Sequence, residues 1–140
     1  METENKNLVA RYIEEIVNSG EVERITNFIS PDYTEVFNNQ RYVLGIEGAV
    51  DHIKGVRNTY PDLILTVDMQ LAEGDWVVTC YTMRGTHMGE WMGIKPTGKR
   101  LETIGVNLDK VINGKIVEHG GAVNLFTSLL SVGAIRVVDE

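Results

Sequence analysis

One change of rhythm constrains this chain more than any other feature: its apolar residues recur at helical spacing up to Pro61 and alternate after it. Leu8, Val9, Tyr12, Ile13, Ile16 and Val17 mark one face of a helix, which Asn18-Ser19-Gly20 stops. A second, shorter helix turns Val22, Ile25, Phe28 and Ile29 inward and ends at Ser30-Pro31, because the residue before a proline avoids the helical region. A short strand is expected near Tyr33–Asn38. A third helix carries Ile46, Ala49, Val50, Ile53, Val56 and Tyr60 on one side and stops at Pro61. His52 falls off that stripe and reads as solvent-facing.

Beyond Pro61 the period becomes two. Leu63, Leu65, Val67, Met69 and Leu71 alternate with Asp62, Thr66, Asp68 and Gln70, the mark of a half-buried strand. Glu73-Gly74-Asp75 turns the chain into a second strand from Trp76 to about Thr86. The loop from Met88 to Arg100 contains Lys95-Pro96-Thr97-Gly98, which suits a type I turn. Strands follow from about Leu101 to Ile112 and from Lys115 to Val123, joined by the hairpin dipeptide Asn113-Gly114. A short helix from Leu125 to Leu130 precedes an acidic tail. Long antiparallel strands curl. With three helices from the N-terminal half on the concave side and the short helix at the end, the expectation is an α+β fold. Its curved antiparallel sheet forms a cone-shaped pocket, in one domain spanning residues 1–140.

Composition narrows the partners. Thirteen basic against twenty acidic residues give a net charge of −7, and only Lys95, Lys99 and Arg100 cluster, so no face suits a nucleic acid. Cys80 is the single cysteine and can form no internal disulfide. Its neighbours suggest a buried apolar filler. The three histidines show no i, i+4 spacing and no H-E-x-x-H, so no metal site is expected. There is no G-x-S-x-G elbow and no phosphate-binding glycine loop. No run of strongly apolar residues exceeds three, and Met1 to Lys6 is polar, which points to a cytoplasmic protein with no membrane span.

The run Gly85-Thr86-His87-Met88-Gly89-Glu90-Trp91-Met92-Gly93-Ile94-Lys95-Pro96-Thr97-Gly98-Lys99 resembles the signature loop of SnoaL-like polyketide cyclases. Pro31-Asp32-Tyr33, Gly45-x-Glu47-Gly48, Tyr60-Pro61-Asp62-Leu63, Glu73-Gly74-Asp75 and Gly114-Lys115-Ile116-Val117-Glu118-His119 agree in order and spacing, over about 100 residues from Pro31 to Gly133. The resemblance implies the nuclear-transport-factor-like cone and neither metal nor organic cofactor. It also implies pairing of copies through the outer face of the sheet, as a homodimer or higher homo-oligomer. The best-known members close the last ring of anthracycline-type polyketides by intramolecular aldol condensation. In them an aspartate on the last strand, within E-H-W-D, acts as acid/base near a polar partner on the preceding strand. This chain departs there: Gly120-Gly121 follows Glu118-His119. A later acidic position reads Asn124, the D-Y-x-x-His of many relatives reads Asp32-Tyr33-Thr34-Glu35-Val36, and Cys80 stands where many have arginine.

Cyclisation through an enolate needs a base beside an acidified C–H and a donor for the carbonyl oxygen that gains charge. Residues 117, 119, 121 and 123 share a strand face, so His119 looks the same way as position 121. Asn107 lies opposite His119 or Gly121 across the hairpin. His119 as proton carrier and Asn107 as carbonyl polariser are the catalytic candidates, set against hydrogen-bonded core or interface roles. Tyr33 and Glu35, sharing a face of the short strand, are candidate substrate contacts, with Glu35 either a displaced base or a solvated or ion-paired group. His87 either bonds the loop backbone or reaches substrate, and Trp91 is a lid or a dimer plug. Asn124 completes the substrate-binding set. A hydrophobic small molecule is the expected ligand, and three readings stay open: acid/base ring closure or isomerisation, epoxide opening or pericyclic closure governed by pocket shape, and non-catalytic binding.

Overall fold

The computed structural model describes residues 1–138; Asp139 and Glu140, the acidic tail, lie outside the described residues. Helix α1 (Glu2–Tyr12) continues without a break into a wider π-helical turn, Ile13–Val17, closed by the Asn18 amide donating to the Ile13 carbonyl at 2.9 Å. The predicted second helix is a short 3₁₀ segment, Val22–Asn27. It ends before Ser30-Pro31, which instead lies inside strand β1 (Ile29–Phe37). β1 turns at Asn38-Asn39, both with positive φ, into the four-residue strand β2 (Gln40–Val43). Helix α2 (Gly45–Thr59) follows, then β3 (Ile64–Glu73), β4 (Trp76–Thr86), β5 (Arg100–Ile112), β6 (Lys115–Val123) and α3 (Leu125–Ser131). Among the described residues no helix is long and apolar enough to cross a membrane.

The sheet runs in the order β2-β1-β6-β5-β4-β3. The expected antiparallel meander is present as β3 to β6, and β1 joins its far end in parallel with β6, which makes the six-stranded sheet mixed. Helix α1 packs against β3 and β4, and α2 against β1. Their apolar stripes meet Phe28, Ile29, Val77, Val111 and Ile116 in one core. Two polar side chains bind the helical half to the sheet. Asn18 donates to the Leu65 carbonyl at 2.9 Å and accepts from the Leu65 amide at 2.8 Å, as a neighbouring strand would. Arg57 donates to the Val17 and Leu63 carbonyls at 3.1 and 2.9 Å.

Two β-bulges revise the simple alternation. In β3 the ladder slips at Asp68, between Val67↔Tyr81 and Met69↔Cys80. Met69 and Leu71 therefore face outward and are exposed, while Gln70 turns inward and donates to Thr79 Oγ1 at 3.2 Å. In β6 the slip falls at Val117, so Ile116 rather than Val117 fills the core. The outer face carries Ile64, Met69, Leu71, Ile104, Val106 and Leu108, all exposed, and Cys80 belongs to this half-covered face rather than to the core. A shallow groove of about 720 Å³ there is lined by Leu71, Trp76, Val78 and Leu108. In the signature loop the tight turn falls at Met92-Gly93, closed by paired Trp91 and Ile94 backbones, and Lys95–Lys99 runs on without a turn.

Gly121 has φ +142°, and a Cβ there would collide with the Val106 carbonyl oxygen. The backbone is therefore built for glycine. Gly121→Asp is expected to destabilise the fold by about 2 kcal/mol or more, read as a lower denaturation midpoint, whereas Ala122→Asp on the exposed neighbouring residue stays within about 0.5 kcal/mol.

Candidate active site

Three adjacent strands set one row of polar side chains. β5 and β6 place Asp109 opposite His119, and the parallel ladder sets Glu35 of β1 on the other side of His119. Residues paired across neighbouring strands point to the same face about 5 Å apart, so the three stand side by side. Asn113-Gly114 with Ile112 opposite Lys115 would, in an unbroken ladder, put Leu108 across from His119 and turn the imidazole outward. The bulge at Val117 shifts the register by one and brings it in beside Asp109.

His119 Nδ1 and Asp109 Oδ1 are 2.7 Å apart. The carboxyl is 4% exposed and the imidazole 26%. An ionised carboxylate only accepts, so Nδ1 carries the hydrogen and Nε2 is left free to take or give a proton. Burial works against the imidazolium. The Asp109 carboxylate, by charge and by hydrogen bond, and then Glu35 outweigh it, so His119 titrates above 6.5.

On the other side of the row, Glu35 accepts from Tyr33 Oη at 2.8 Å, and both its oxygens lie 2.7 Å from His52 Nδ1. Burial pushes the Glu35 carboxyl up, but the hydrogen bond and charge of His52, then Tyr33 and His119, bring it below the usual carboxylate value. Burial first, and Glu35 second, hold the Tyr33 phenol neutral well above its ordinary range. Tyr12, at the end of α1, is held neutral by burial and then by Asp109 and Glu35. Two tyrosines, two histidines and two carboxylates thus gather on the inner face.

Asn107 pairs with Gly121 rather than His119, two residues before Asp109 on the same face. It is half-buried, and its amide meets no protein partner among the described residues. Gly121 sets no side chain beside Asn107 and His119. Beyond it the inner face continues polar through the fully buried Thr79 to Gln70.

The other sequence candidates lie apart from this cluster. His87 is 1% exposed and serves the loop: its Nδ1 accepts from the Thr97 amide at 3.3 Å, its backbone pairs with Lys99 and Gly98, and its ring packs on Tyr60. These are the contacts of the loop-bonding alternative. Trp91 stands 43% exposed on the loop surface. Asn124 precedes α3 with its side chain in solvent, while its carbonyl accepts from Thr103. Sequence reasoning missed Asp109, Tyr12 and His52. His52 is not a bare surface residue but the partner of Glu35. The i, i+2 spacing of Asn107 and Asp109 was the available signal for Asp109, and the bulge hid it.

The profile of the SnoaL-like polyketide cyclase family matches residues 7–130. The chain is 26% identical to the nogalonic acid methyl ester cyclase of Streptomyces nogalater, over 73% of this chain and 78% of that one. It is 27% identical to an aklanonic acid methyl ester cyclase of Streptomyces galilaeus, over 78% and 77% respectively. A Jannaschia sp. CCS1 protein assigned to the SnoaL-like polyketide cyclases superimposes with a TM-score of 0.84 at 25% identity, covering 96% of this chain and 95% of that one. Sequence profile, relatives and fold agree: this chain belongs to the SnoaL-like polyketide cyclase family.

Proposed function

We propose that this chain closes or isomerises a ring in a polyketide-like small molecule by acid/base chemistry that needs no cofactor, with His119 as the proton carrier. The observation that carries this reading is the His119–Asp109 hydrogen bond beside the unpartnered Asn107 amide. An aldol closure is redox-neutral and consists of proton transfers around one new C–C bond, so a base and a hydrogen-bond donor are what it requires. His119 Nε2 takes the proton from a carbon flanked by carbonyls. Asp109 holds the imidazole in the matching tautomer and stabilises the imidazolium that forms. The Asn107 amide donates to the oxygen on which the enolate charge gathers. Asp109, Glu35, Tyr12 and Tyr33 are the titratable groups around His119, and the tyrosines stay neutral, so the two carboxylates set its charge.

The curated relatives' names supply probes, nogalonic and aklanonic acid methyl esters. On these, His119→Gln is expected to lower protein-dependent α-proton exchange in deuterated buffer about 10²–10⁴-fold, followed by NMR. Unchanged exchange removes His119 from the mechanism. The neutral imidazole is the active form, so the exchange rate rises with pH through a His119 pKa above 6.5. Asp109→Asn removes the charge that raises that pKa. It is expected to move this limb to lower pH while lowering the plateau, as read from a pH–rate profile and the His119 proton shifts. A rate flat from about pH 5 to 9 points instead to closure governed by pocket shape.

The proposal extends to self-association through the outer face, supported by its exposed Met69, Leu71, Val106 and Leu108. Leu108→Lys is expected to shift the sedimentation coefficient from dimer towards monomer; a wild-type monomer sinks this part.

A further inference from the structure

Proton abstraction by His119 leaves the second histidine–carboxylate pair without a task. Glu35 stands next to His119 on the side away from Asp109, so the second pair joins the same row of the sheet through Glu35, with His52 reaching it from α2. They differ in access to water. His119 is 26% exposed over a buried carboxylate, while His52 is 45% exposed over Glu35. Glu35 is fixed from below by Tyr33 Oη and fixes His52 in turn, with both oxygens on Nδ1. The opposite ring nitrogen, Nε2, meets no protein partner among the described residues.

Closing a ring by attack of an enolate carbon on a ketone needs a second proton transfer. The ketone oxygen gains a negative charge as the C–C bond forms, and the product carries a hydroxyl. A group that has just accepted a proton from carbon at one end of the substrate is poorly placed to protonate an oxygen at the other. Two groups of the same chemistry, one shielded beside a free amide and one in contact with water, divide that work.

We propose that His52, held by Glu35, donates the proton to the carbonyl oxygen that becomes the ring hydroxyl; this rests on the reading of His119 as the base. In the step, the C–H bond breaks, its electron pair enters the enolate, and its proton goes to His119 Nε2. The enolate carbon bonds to the ketone carbon, the ketone π pair moves onto oxygen, and that oxygen takes the proton from Nε2 of the His52 imidazolium, whose Nδ1–H stays on Glu35. No oxidant or reductant enters. His52 recovers its proton from solvent and His119 returns its own there. Glu35 is a positioning residue, and the substrate spans the row, with its acidic carbon towards β5 and its electrophilic carbonyl towards α2.

The test follows α-proton exchange and ring closure separately on nogalonic and aklanonic acid methyl esters. His52→Gln, and His52→Asn as a second variant, are expected to keep His119-dependent exchange within about threefold while closure falls about 10²-fold or more. Glu35→Gln is expected to depress closure more than exchange. Melting curves of the His52 variants should overlay the wild type, because the side chain is half in solvent. Closure that survives in both His52 variants overturns the proposal. So does closure that falls only in step with exchange, or wild-type exchange with no closure. Absence of exchange in the wild type itself overturns instead the reading of His119 as base, and this inference falls with it.

Discussion

The parallel ladder between β1 and β6 is the join on which the inner face depends. It pairs residues more than eighty positions apart and is the seam between the helical half of the chain and the meander. Such pairing forms only after a long loop has closed, and its contacts must repay that entropy. Ile29 and Ile116, both fully buried, supply the apolar end of the seam. Glu35 and His119 occupy its polar end. Because β2 returns along β1 before α2 begins, the same seam carries α2 over β1 and sets His52 above Glu35. Remove the ladder and Glu35, with His52 on it, no longer stands beside His119.

The departure at Gly120-Gly121 takes on a different meaning in this geometry. The family resemblance implies an aspartate on the last strand facing a polar group on the preceding one. Here the polar group on the last strand is the imidazole of His119, and the carboxylate stands on the preceding strand as Asp109. His119 is the histidine of the E-H-W-D pattern itself, so this pair stands one step along the ladder from the position of the implied aspartate. The vacated step holds Asn107 and a glycine whose backbone leaves no room for a side chain. A carboxylate and an imidazole thus meet across these neighbouring strands.

Much of the architecture was legible because periodicity records burial. The change at Pro61, the hairpin at Asn113-Gly114 and the stripe of α2 each reflect which side of an element faces the core. Part of what escaped has one physical cause: local slips of one residue. A bulge inverts the facing of every side chain beyond it without altering composition. That is why Met69 and Leu71 read as core, and why Asn107 rather than Asp109 read as the candidate opposite His119. The parallel seam was hidden for a related reason. Nothing in the spacing of Tyr33–Asn38 says which strand it will join. His52 read as solvent-facing and is exposed, but its pairing with Glu35 escaped, because a helix stripe ranks positions by apolarity and a polar contact at its margin leaves no mark on it.

The Asn18 side chain, which satisfies both backbone groups of Leu65, has a consequence beyond anchoring a helix. β3 is one of the two free edges of the sheet, and its outward backbone groups are a template on which another strand could grow. Asn18 occupies that template at Leu65, the bulge at Asp68 breaks its rhythm three residues later, and the other edge, β2, is only four residues long. Both edges are therefore poor templates for strand addition, the route by which sheets polymerise, however much apolar surface the outer sheet face carries.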